Sequence, residues 1–282
     1  MEILPEPEWE GLLREFKKHS GTALLLGATD SGKSTLVKYL TERLIGEGIT
    51  VSIVDSDIGQ SSLGLPGTIS MKAFLNESDI ENYTFEKMFF VGTTNPAKQI
   101  SLLIDGTKKM VDVGREKSAI TLVDTTGLIT GEIGRALKIG KIKAIKPEYV
   151  IALQRQDELE HILRLLEDFT IHRIGVSMAA KCRSRENRIK YRQKKFLDYF
   201  DEKRISEFLL HQNDAGFFYN GKSLNLAADD FKPGTIIGLN RDNDTIALGL
   251  LVDISEDSIT FKSPIQSLRR INRILFSEMT LY

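Results

Sequence analysis

The chain has 282 residues, 41% of them hydrophobic, a net charge of −1 and one cysteine. Such a length can hold one large α/β unit and a small one without a disulfide or metal staple. The lone Cys182 excludes an intrachain disulfide and a multi-cysteine zinc site, the near-neutral charge excludes a general nucleic-acid binder, and neither a signal-peptide pattern nor an apolar run of ~18 residues is present, so a cytoplasmic protein with no membrane association is expected.

Residues 5–18 predict a short amphipathic helix with Trp9, Leu12, Leu13 and Phe16 on one side. A buried strand, TALLLG, then runs into GATDSGKS at 27–34, which matches G-x-x-x-x-G-K-[ST]. Gly27 and Gly32 let the backbone curl so that the N–H groups of Thr29, Asp30 and Ser31 turn inward toward phosphate. The helix that follows, over 33–44, offers its positive end to the same anion. Lys33 suits the β- and γ-phosphates, and Ser34, with Thr35 beside it, suits Mg²⁺.

A second strand, TVSIVDSD, ends in DSDIGQ, with Asp55, Asp57 and Gln60. FFVGTT predicts a third strand, ending at Thr93 and Thr94, and 98–113 predicts a helix. AITLVDTTG predicts a further strand, ending in Asp124. The strand YVIAL, a helix over 157–169 and the strand HRIGVS complete the first unit. Near-continuous apolar strands alternating with helices imply a P-loop NTPase architecture, a parallel sheet covered by helices on both faces. Ligands of such sheets bind at the C-terminal strand ends, where both acidic motifs fall. Asp124 suits the metal shell, and Asp57 suits the base that takes a proton from an attacking hydroxyl. Asp55 reads equally well as a solvent-facing strand end. DTTG also has the form of a GTPase D-x-x-G switch, but no [NT]-K-x-D guanine-reading motif follows.

Between Lys181 and Lys195 stand eight cations and one acid, Glu186. Without Pro or Gly, this stretch predicts a lid helix over about 181–204. Arg185, Arg188 and Arg192 share one of its faces and can neutralise charge on a transferred phosphoryl group. Short β-like runs dominate from Asp214 on: TIIGL, TIALGLLVDI, SITFK and INRILFSEMTLY. The expected units are therefore a kinase-like domain, 1–213, and a small β-rich domain, 214–282. Phe217, Phe218 and Tyr219 are expected in the core or interface of the latter.

GATDSGKSTL, DSDIGQSSLGLPGTIS, FFVGTTNP and CRSRENRIKYRQKKFLDYF, in that order, resemble the polynucleotide 5′-hydroxyl kinase family, most closely its shorter archaeal-type members. The resemblance covers roughly residues 9 to 200, more loosely the β-rich end. It implies transfer of the γ-phosphoryl of ATP, with Mg²⁺, to the 5′-hydroxyl end of RNA or DNA. Asp57 would stand where the family keeps its general base, Gln60 near the metal and the attacking hydroxyl, and Thr93 and Thr94 in the loop that holds the acceptor. The lid arginines would come from Arg185, Arg188 and Arg192. Leu128 stands where eukaryotic cleavage-complex members carry a tryptophan. A GTPase or ATPase switch built on DTTG, and a nucleotide-locked scaffold without transfer activity, are the competing readings.

Overall fold

The computed structural model describes residues 5–226 and 231–281; the outer ends of the two expected units, 1–4 and Tyr282, lie outside the described residues. In chain order the elements are α1 (Pro7–Phe16), β1 (Gly21–Gly27), α2 (Lys33–Ile45), β2 (Val51–Ser56), β3 (Thr68–Phe74), α3 (Ser78–Glu81), β4 (Lys87–Phe90), α4 (Ile100–Lys117), β5 (Ile120–Thr125), α5 (Gly131–Ile145), β6 (Tyr149–Gln154), α6 (Glu160–Leu163), β7 (Thr170–Gly175) and α7 (Arg185–Tyr199). There follow β8 (Ser206–His211), β9 (Gly216–Tyr219), β10 (Lys222–Ser223), β11 (Thr235–Arg241), β12 (Asp244–Ile254), β13 (Ser258–Ser263) and β14 (Arg273–Thr280).

Five strands form the expected parallel sheet, in the order β2-β5-β1-β6-β7. The residues of β2, β5, β1 and β6 are buried nearly throughout because helices cover both faces, whereas β7, at the edge, is mostly exposed or half-buried. Trp9, Leu12, Leu13 and Phe16 of α1 join Leu36, Leu40 and Leu44 of α2 in the core on one face. Leu103, Met110 and Val111 of α4, with Leu137 and Ile142 of α5, fill the other.

The structure departs from the sequence expectations in several places. The sheet is mixed beyond β2, because β3 and β4 pair antiparallel. The segment 157–169 is not one helix. Leu165, Leu166 and Phe169 each bond three residues back, so the chain advances by tight turns that still bury Leu159, Ile162, Leu163 and Leu166. β8 lies in the segment assigned to the kinase-like domain, and its partner among the described strands is β13 of the β-rich segment.

The two units share one sheet. β12 pairs with β4 at Thr245 and Met88, and the Thr245 hydroxyl accepts the Phe90 N–H at 2.9 Å. Phe90, Leu65, Phe196, Phe200, Ile236, Leu248 and Leu250 form an apolar core at this junction.

Candidate active site

β1, β5 and β2 are neighbours, so the loops that leave their C-terminal ends are neighbours too. The β1 loop turns through Asp30 at φ 59° and Gly32 at φ 90° into α2. Lys33 is buried, and its ammonium donates to the carbonyl oxygens of Gly27 (3.0 Å) and Ala28 (2.8 Å), inside the loop. Burial lowers its pKa, while the charges of Asp124, Asp57 and Asp30 oppose that. Ser34 Oγ donates to Asp124 Oδ2 at 2.5 Å. A Cβ on Gly127 would stand 2.5 Å from Thr29 Cα and N. The glycine of DTTG is therefore required by the phosphate loop that crosses it.

Asp55 and Asp124 are register partners on β2 and β5, both buried. Asp55 does not face solvent. Its carboxylate accepts from the backbone of Asp57, Ser62 and Leu63 and from the hydroxyls of Ser61 and Ser62, so it organises the whole DSDIGQSS loop. Burial raises its pKa, and these donors oppose the rise. Burial, then the Asp55 charge, raises the Asp124 pKa as well, with Lys33 and the Ser34 hydroxyl pulling it down. Asp57 Oδ1 accepts the N–H groups of Gly59 and Gln60, both at 3.1 Å, which fixes the carboxylate at the mouth of the loop.

Asp124 Oδ1 and Gln60 Oε1 are buried and have no hydrogen-bond partner among the described residues. The orphaned Asp124 oxygen belongs to the carboxylate that the Ser34 hydroxyl touches, a pair of hard donors that fits Mg²⁺, which is held through few protein ligands.

The basic helix spans Arg185–Tyr199, shorter than the 181–204 expected, because Ser184 caps its start by accepting the Asn187 N–H. Three attachments hold it. Arg188 Nη2 bonds Asp30 Oδ2 of the phosphate loop at 2.6 Å. Tyr191 Oη and Lys195 Nζ donate to the carbonyls of Ser61 and Ser62. Phe196 and Phe200 are buried at the junction, and Tyr199 Oη accepts the Leu248 N–H from β12. Arg188 and Arg192 are half-buried on this inner face, whereas Arg185 is exposed at the helix start. Arg192 makes no hydrogen bond or ion pair among the described residues. Burial and the Arg188 charge lower its pKa.

Thr93 and Thr94 lie together in the loop after β4. A Cβ on Gly59 would meet the Thr94 carbonyl oxygen at 3.4 Å, so Thr94 borders the Asp57 loop. The Thr93 hydroxyl instead donates to Glu278 of β14 at 2.7 Å. Leu128 packs half-buried against the core under α4 and α5.

Two lysines of α5 were missed in the sequence. Lys138 and Lys141 are wholly buried. Lys138 donates to Thr125 Oγ1 at 2.8 Å and to the Thr126 carbonyl, and Lys141 donates to Ser56 Oγ at 2.8 Å. They lie beneath the acidic strand ends. Burial pushes the Lys141 pKa down to about 7, against the pull of Asp57, Asp55 and Asp124. Two cations at i and i+3 inside an otherwise apolar helix face were the available signal.

Residues 27–202 match the family model described as mRNA cleavage and polyadenylation factor CLP1 P-loop. The chain is 40% identical over 193 residues to a polyribonucleotide 5′-hydroxyl-kinase of Pyrococcus horikoshii, covering 68% of this chain and 53% of that protein. A kinase of the same name from Methanocaldococcus jannaschii is 40% identical over 209 residues, covering 72% and 56%. Polyribonucleotide 5′-hydroxyl-kinase Clp1 of Danio rerio is 26% identical over 206 residues, covering 69% and 46%. The chain thus spans about half the length of the curated relatives it matches. In fold it resembles Clp1p in a Clp1p–Pcf11p structure, with a TM-score of 0.74 at 11% identity over 97% of this chain and 79% of that one. The phosphate loop, the paired acidic strand ends and the basic lid all fall inside the matched stretch, and with them the chain belongs to the CLP1 P-loop family.

Proposed function

We propose that the chain is an ATP-dependent polynucleotide 5′-hydroxyl kinase whose acceptor is the 5′ end of RNA. The observation that carries this reading is the Asp57 carboxylate. Two backbone N–H groups fix one of its oxygens, and it stands beside the phosphate loop under a cationic lid. A protein that only held nucleotide would need no oriented proton acceptor there. The names of the archaeal relatives support the same reaction and the same acceptor.

In the proposed step the 5′ oxygen attacks the γ-phosphorus in line. The O–P bond forms as the bond to the ADP oxygen breaks, and Asp57 takes the hydroxyl proton through its other oxygen. Lys33 and the lid cations Arg188 and Arg192 hold the charge that spreads over the phosphoryl oxygens, so catalysis is positioning and electrostatics. Ser34, Asp124 and Gln60 would hold Mg²⁺, which when bound polarises the phosphates. Arg185, exposed at the helix start, is the least engaged of the three lid arginines. A hydrolytic switch loses its support from DTTG, because Gly127 has a packing cause.

The test is label transfer from γ-labelled ATP to matched 5′-hydroxyl RNA and DNA oligonucleotides. Asp57→Asn is expected to lower kcat about 10²–10⁴-fold, and Lys33→Ala to abolish transfer. Hydrolysis of ATP with no labelled oligonucleotide would overturn the reading.

A further inference from the structure

A cavity of about 360 Å³ opens between the acceptor loop and the β-rich unit, away from the phosphate loop. Thr93, Lys98 and Gln99 form one wall, and Tyr219, Asn220 and Glu278 form the other. Its volume is that of a small-ligand site.

The chemistry of the walls narrows the ligand. Lys98 and Glu278 pair at 2.5 Å, so the cavity holds no net charge to attract a phosphate. Glu278 also takes the Thr93 hydroxyl. Gln99 Nε2 donates to Asn220 Oδ1 at 2.9 Å, which leaves the Gln99 carbonyl oxygen and the Asn220 amide nitrogen as an acceptor and a donor side by side. Tyr219 adds a half-buried ring, braced edge-on against Phe231 with centroids 5.2 Å apart. The Asn220-Gly221 turn, at φ 48° and 77°, fixes the hairpin that carries both residues. An aromatic face beside a paired donor and acceptor is how proteins grip an unstacked nucleobase.

The position fits as well. Thr94 borders the Asp57 loop, and the preceding residue, Thr93, lines the cavity. Adjacent residues of one loop therefore open onto the reacting end and onto this space. We propose that the cavity receives a nucleobase of the acceptor strand, downstream of its reacting 5′ end. The β-rich unit then contributes directly to substrate grip. This inference rests on the kinase reading for its acceptor.

The experiment walks a single abasic residue inward from the second position of a 5′-hydroxyl oligonucleotide. KM for transfer is measured with the wild type and with Tyr219→Ala, Tyr219→Phe and Gln99→Ala. Base–aromatic stacking of ordinary strength corresponds to about tenfold in affinity. At one position the abasic residue should raise the wild-type KM about tenfold and cost Tyr219→Ala nothing further. Tyr219→Phe should behave as the wild type, Gln99→Ala should lie between, and the KM for ATP should not move. Equal abasic penalties in wild type and Tyr219→Ala at every position would overturn the proposal. Fluorescence anisotropy with a 3′-labelled oligonucleotide reads the same cavity without chemistry. If no acceptor is phosphorylated, the kinase reading fails, yet weakened binding by Tyr219→Ala with recovery in Tyr219→Phe still supports the subsite. Unchanged or absent oligonucleotide binding overturns it.

Discussion

Asp55 shows how much one buried carboxylate can organise. Five donors from the loop it begins converge on it, and three of them are backbone N–H groups with no other partner among the described residues. Removing the acceptor orphans those groups, each at ~1–3 kcal/mol, offset in part by relief of the repulsion with Asp124. Asp55→Ala is therefore expected to lose roughly 3 kcal/mol in urea unfolding and to lose transfer activity, although Asp55 touches no substrate. A change under 1 kcal/mol would mean the loop holds itself.

Lys141 makes the opposite case. Its folded-state pKa, about 7, lies below its value in the unfolded chain. Below about pH 7 both states carry the proton and the buried charge costs stability in full. As pH rises from 7 toward 10.5 the folded state releases its proton first, and that cost fades. Lys141→Met should accordingly compare best with the wild type near pH 7 and lose that standing as pH rises toward 10. Unfolding free energies measured across this range check the sign, and a difference independent of pH would show that the ammonium is not desolvated.

At the scale of elements, α7 is a clamp with unlike ends. Its first half grips two loops through polar contacts, and its last turn is buried in the junction core. The polar end should open while the apolar end stays anchored. Asp30→Ala removes the carboxylate that takes both Arg188 and the Arg183 N–H. Hydrogen exchange of the amides in 185–192 is expected to quicken about tenfold, that is ~1.4 kcal/mol of local opening, and those of 196–200 to stay as they were. Uniform acceleration along the helix would mean it opens as one rod.

The phosphate loop and the two acidic strand ends were legible because each motif is contiguous and sits at a junction of strand and helix. The lid was legible as a charge run, but its inner face was not fully so. Tyr191, Lys195 and Tyr199 set the phase, and Arg185 falls at the exposed start. Asp55 was ambiguous because its partners are serine hydroxyls and backbone groups, which carry no signature at that range. β8 was not foreseen because it finds its partner only in β13, some 50 residues on. Nothing local announces the bond from Thr93 to Glu278, 185 residues apart.

At the scale of the whole molecule, the β-rich unit completes the sheet rather than hanging from it. It covers Leu65, Phe90, Phe196 and Phe200, which would otherwise face water. A chain cut after Arg204 should therefore aggregate or unfold at temperatures where the full chain is stable, because it exposes a contiguous apolar surface. In the full chain, the fluorescence of Trp9, the one tryptophan, should report the same unfolding midpoint as far-ultraviolet circular dichroism. Two separated midpoints would show that the units melt independently.

The ends of the sheet carry a last consequence. A run this long would be a hazard if its free margins could recruit another chain by backbone pairing. One margin is β10, only the exposed Lys222 and Ser223. The other is β7, which presents Thr170 and Arg173 outward. The side branch stops at β8 with Glu207 and His211 exposed. Shortness at β10 and exposed charge at β7 and β8 weigh against these margins pairing with a neighbour, so the described sheet has the interior of a large β assembly with edges that discourage its growth.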